Sequence, residues 1–173
     1  MATLSSGESV PVHDNPRSLL AGILLILLGC SGALCAQSDG ESLELRVTAG
    51  VAKVFFDEPA TTVLGASVRM PITERLSFAP EVLHSRVFDF ELWTVVPNLV
   101  YALTDPHRTR SFFVQSGVGW GRSVDHSIDY ATQGLVFTAG LGLRVRLGRI
   151  SLEPRAGLGH GFHAAMTLGY SLK

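Results

Sequence analysis

From Ser42 onward, apolar residues recur at every second position rather than at every third and fourth. A period of two marks a strand with one apolar face, because successive side chains point to opposite sides of a pleated sheet. The first run, residues 43–54, places Leu43, Leu45, Val47, Ala49 and Val51 on one face and Glu44, Arg46, Thr48 and Gly50 on the other. Runs of the same kind follow over residues 62–70, 76–85, 91–103, 111–121, 134–147, 150–159 and 162–172. The sixth is the most regular: Leu135, Phe137, Ala139, Leu141, Leu143, Val145 and Leu147 alternate with a face that includes Thr138, Gly140, Gly142, Arg144 and Arg146. Eight strands are predicted, with no helix between them.

The links at residues 71–75, 104–110 and 148–149 are short and rich in Thr, Asp, Pro or Gly, which suits tight hairpin turns. The longest link lies between the fifth and sixth strands, where RSVDHSIDYATQ (residues 122–133) is polar and is expected to project. Short connections throughout imply antiparallel neighbours, and hence an all-β, eight-stranded up-and-down barrel.

Alternation alone does not say which face is inward. A lipocalin-type barrel buries its apolar face, whereas a membrane barrel turns it to lipid around a polar lumen. The aromatic residues decide. Trp93 and Tyr101 share the apolar face of the fourth strand, Phe112 and Trp120 that of the fifth, and Phe162 and Tyr170 that of the last. The members of each pair are eight residues apart. In a tilted strand that spacing rises roughly 20 Å, close to the apolar band of a transmembrane barrel. Each pair then sets one ring at each interface, where amphipathic rings are favoured. The prediction is a transmembrane barrel with two aromatic girdles.

The opposite face then lines a narrow lumen. Glu44, Glu81 and Glu153 share it with Arg46, Arg69, Arg144, Arg146 and Arg155, and glycines at 117, 119, 140, 142, 157, 159 and 169 make room for the long side chains. Charges removed from water must be paired. The expected arrangement is a salt-bridge network that fills the lumen; the alternative is an arginine-lined path for small anions.

Composition adds the compartment. Residues 19–36 read LLAGILLILLGCSGALCA after Arg17, an apolar core followed by small residues, as in a secretory signal peptide. Cleavage after Ala36 leaves Gln37 as the mature start, although Leu34 is bulky for its position. Leu27-Leu28-Gly29-Cys30 offers a competing lipoprotein box with Cys30 lipidated, and an uncleaved anchor is the third reading. Glu8 and Asp14 in a long leader suggest a translation start further downstream. The chain thus divides into a leader, residues 1–36, and a barrel domain, residues 37–173. Cys30 and Cys35 both fall in the leader, so the barrel has no disulfide and no thiol chemistry. A formal net charge of −1 leaves no basic footprint for nucleic acid.

The stretches GASVRMPITERLSFAPEVLHS, VPNLVYALTD, FVQSGVGWG and FTAGLGLRVRLGRISLEPRAGLG resemble the small outer-membrane β-barrel domain family, the porin-like and OmpA-like eight-stranded proteins of Gram-negative bacteria. The likeness spans residues 42–173. It implies location in the outer membrane as a monomer surrounded by outer-membrane lipid, after insertion by the barrel-assembly machinery. That machinery reads a last strand usually ending in Phe; this chain keeps Met166, Leu168, Tyr170 and Leu172 in alternation but ends Leu172-Lys173.

Catalysis finds little support. A lipid A deacylase of this family would want His with Ser two positions on; here Ser127 follows His126 directly, and neither His160 nor His163 has such a partner. His160 and His163 lack a third metal ligand, and GVGWG and GLGHG fall inside strands with no following helix, which removes the phosphate-loop reading. No cofactor is expected. The leading expectation is a non-enzymatic outer-membrane barrel, structural or surface-interacting. A narrow solute channel, a lipid A-modifying enzyme and a soluble periplasmic binder are the alternatives.

Overall fold

The computed structural model describes residues 43–53, 60–87, 89–159 and 161–172. The leader, with Cys30, Ala36 and Gln37, lies outside the described residues, as does His160. Eight strands follow one another: β1 (Glu44–Lys53), β2 (Thr61–Pro71), β3 (Leu76–Val87), β4 (Phe90–Ala102), β5 (Arg110–Asp125), β6 (Tyr130–Leu147), β7 (Ile150–Gly159) and β8 (Gly161–Ser171). Each pairs antiparallel with the next, and β1 pairs with β8 from Glu44↔Ser171 to Lys53↔Phe162, closing the sheet into a barrel.

The faces are arranged as lipid requires. Leu135, Phe137 and Leu141 on β6 are 67%, 67% and 64% exposed on the outer wall, while Glu44, Arg46 and Thr48 on β1 are buried inside. A soluble barrel has the reverse arrangement. Because strand direction alternates, Trp93, Trp120 and Phe162 lie toward one mouth, and Tyr101, Phe112 and Tyr170 toward the mouth where β1 begins and β8 ends.

One expectation needs correction. The polar segment 122–133 is not a connecting loop: its ends belong to the strands. β5 and β6 continue through it, pairing Arg122↔Gln133, Ser123↔Thr132, Val124↔Ala131 and Asp125↔Tyr130. Only residues 126–129 turn, with Asp129 in the left-handed region that Asp tolerates better than most residues. Its polar side chains say where the strands leave the apolar band, and the backbone ladder continues beyond it. The interior face also carries apolar residues: Val63, Leu92, Val96, Val100, Phe113 and Val136 point inward and are buried. In so narrow a barrel, side chains must fill the axis, and apolar ones do so without needing partners.

Among the described residues, the wall has three discontinuities. Pairing of β2 with β3 passes from Ser67↔Glu81 to Met70↔Phe78, skipping Pro80. Between β4 and β5 it passes from Val95↔Trp120 to Asn98↔Gly117, skipping Pro97. Between β6 and β7 it passes from Gly142↔Arg155 to Val145↔Leu152, skipping Pro154. Proline has no N–H to give to a ladder, so each interruption follows from the residue itself.

Candidate functional site

The lumen is organised in layers. Nearest the mouth where β1 begins and β8 ends, Glu44 of β1 accepts hydrogen bonds from Ser151 Oγ of β7 and, at 2.9 Å, from Arg144 Nη2 of β6. Arg69 Nη1 of β2 stands 3.9 Å from the same carboxylate. The next layer is centred on Glu153 of β7, which is 0% exposed. Arg46 of β1 and Arg144 of β6 donate to it, and Arg69 reaches it with both terminal nitrogens, at 2.7 and 3.4 Å. One carboxylate thus joins guanidinium groups from three other strands. Arg69 also lies over the Phe113 ring, 5.4 Å from its centroid, a cation–π contact that favours the charged side chain in a dry site.

The third layer belongs to Glu81 and Arg155. The Arg155 fork engages both carboxylate oxygens, Nη1 with Oε2 at 3.0 Å and Nη2 with Oε1, the planar bidentate geometry that only arginine offers. Around this pair, Thr48 and Asn98 donate to Glu81 at 3.3 and 3.4 Å, Arg155 also donates to Thr48 and Gln115, and Thr138 donates to Asn98. Thr48 and Thr167 meet at 2.9 Å across the β1–β8 seam. Toward the far mouth the lining turns apolar, with Val63, Leu83, Leu92 and Val136 around a cavity of about 50 Å³ that His163 also borders.

Glycines permit this filling at specific places. A Cβ on Gly169 would strike the Glu44 carboxylate and Ser151 Oγ, and one on Gly142 would enter the Phe113 ring. On β5, a Cβ on Gly119 would meet the backbone of Val95 and, at 2.7 Å, Val96.

Seven of the eight predicted interior charges therefore meet in two ion-pair groups. The eighth, Arg146, is half-buried and borders the mouth cavity beside Glu44. Hydroxyl and amide partners (Thr48, Asn98, Gln115, Ser151, Thr167) were not singled out in advance. Inward strand parity was their only signal, shared with every other residue of that face. A second group at the far mouth was also missed. Glu91 accepts from Trp93 Nε1 at 2.8 Å and lies 3.0 Å from His84 Nε2 and 3.3 Å from His126 Nε2, while the His84 and Trp93 rings stack with centroids 4.3 Å apart. Ser127 Oγ donates to Asp125 Oδ1 at 2.6 Å.

No protein-family model and no curated protein matches the chain by sequence. Solved structures do match. The N-terminal β-barrel domain of Pseudomonas aeruginosa OprF superposes with a TM-score of 0.55 at 14% identity, covering 78% of this chain and 100% of that one. Neisserial surface protein A gives 0.60 at 11% identity over 75% of this chain and 96% of that one. A de novo designed transmembrane β-barrel gives 0.55 at 16% identity over 79% and 99%. With a closed eight-stranded antiparallel wall, an apolar exterior and a buried polar interior, the chain has the fold of the small eight-stranded outer-membrane β-barrels.

Proposed function

We propose that this protein is an exported, monomeric barrel of the bacterial outer membrane with a filled lumen, serving a structural or surface-interaction role without catalysis. The observation that carries this reading is Glu153: wholly buried, it is held by arginines from β1, β2 and β6 across the lumen axis. A solute moving along the axis would have to break these contacts and strand buried charge, at a cost of about 3–5 kcal/mol for a single broken pair. The lipid-facing wall makes outer-membrane lipid the natural surroundings, and the barrel-assembly machinery the agent of insertion. Against hydrolysis stands the separation of the candidate groups: His126 Nε2 faces Glu91 while Ser127 Oγ is committed to Asp125, so no serine–histidine nucleophile pair is formed there.

Planar-bilayer recording tests the proposal. The refolded protein is expected to give no discrete conductance steps above the lipid background. Stable unit steps that persist across preparations would replace the filled barrel with the narrow channel.

A further inference from the structure

We infer that the mouth where β1 begins and β8 ends is a binding site for a small phosphate-bearing anion. A cavity of about 210 Å³ opens there, large enough for a phosphate group and a modest substituent. Its walls carry Arg69, Arg75, Arg144, Arg146 and Arg149 against Glu44 and Glu74, so positive charge predominates by three. Glu44 is itself taken up by Arg144 and Ser151. Serine hydroxyls from Ser77, Ser111 and Ser171 complete a donor-rich lining.

The lumen below does not offset that excess: among the described buried residues there, Arg46 and Arg155 face Glu81 and Glu153, a balance of zero. Excess charge in a site screened from water calls for a counter-ion. Arg69 forms part of the cavity floor, where Glu153 and the Phe113 ring hold its guanidinium in place. The opposite mouth offers no comparable lining: among the described residues, no arginine borders its 50 Å³ cavity. The net charge of the site favours a multivalent anion over a carboxylate. A tetrahedral phosphate also presents acceptors in several directions to guanidinium forks arriving from β2, β6 and two turns. The site does not depend on whether the lumen conducts; only the compartment from which the ligand arrives rests on the outer-membrane reading.

The test titrates the full chain, refolded in maltoside micelles at low ionic strength, with inorganic phosphate by calorimetry. Saturable binding to one site is expected, weakened about tenfold or more by the double variant Arg75→Gln/Arg149→Gln and by high salt, since paired guanidinium contacts and their screening set the affinity. Arg122→Gln, at the far mouth, should leave it unchanged. Folding of each variant is checked by the mobility of its unboiled gel band. Absence of saturable heat, or equal affinity in a folded double variant, overturns the inference. Repeating the titration in nanodiscs containing anionic phospholipid assigns the source: retained affinity marks a soluble phosphate compound, and lost affinity marks lipid headgroups already in the site. Conductance steps would refute the filled lumen and leave this result standing, so the two failures are separable.

Discussion

Glu153 accepts from Arg46, Arg69 and Arg144 with no exposure to water, which makes it the residue whose loss should be felt most. Replacing it with glutamine keeps the shape and removes the charge, so three guanidinium groups lose their shared counter-ion. Glu153→Gln is expected to destabilise the barrel by about 3–5 kcal/mol, the range for breaking a buried pair by removing one partner. Urea unfolding in lipid vesicles, followed by tryptophan fluorescence, measures it; a midpoint equal to that of the parent would show that the network contributes nothing. That these charges face inward was legible from strand parity alone. Their pairing was not. Glu153 and Arg46 are 107 positions apart, and only the register of intervening strands brings them together. The rim group at Glu91 escaped for a related reason: His84, Trp93 and His126 come from three segments, and nothing local links them.

The strands themselves were the most legible part of the chain, because a period of two is enforced wherever one face meets lipid and the other a packed lumen. β7 begins and ends where the alternation does, at Ile150 and Gly159. The failure at residues 122–133 has a physical source too. Once a strand pair rises beyond the apolar band, its outer face no longer needs to be apolar, so alternation fades while backbone pairing continues. The aromatic spacing gives this scale its test. The chain has two tryptophans, and both lie toward the same mouth, Trp93 on β4 and Trp120 on β5. In vesicles of brominated phospholipids, bromines near the headgroups should quench their fluorescence more strongly than bromines at the bilayer centre. Strongest quenching at the centre would mean that the apolar band is not bounded where the aromatic spacing puts it.

At the scale of the whole molecule, a closed sheet with every strand paired to two neighbours should survive detergent until heated. Unboiled protein is therefore expected to migrate faster on a gel than boiled protein and to resist protease in that form. A folded chain that stays soluble without detergent and shows no shift would reverse the assignment of the faces. Closure also explains why general architecture was readable when role was not: a barrel wall is specified by a repeating rule, whereas a ligand is specified by a few residues at its mouths. The tie from Glu153 across to Arg46 and Arg69 has one more consequence. β1 and β2 are the first strands of the barrel and β7 is nearly the last, so the ion cluster cannot assemble until the seam between β1 and β8 has formed. An open sheet in the bilayer would hold those ions hydrated or not at all. Closure and dehydration must then occur as one event late in folding, and reopening must readmit water before any strand can leave. Contacts made only at closure slow the opening of such a barrel more than they speed its folding.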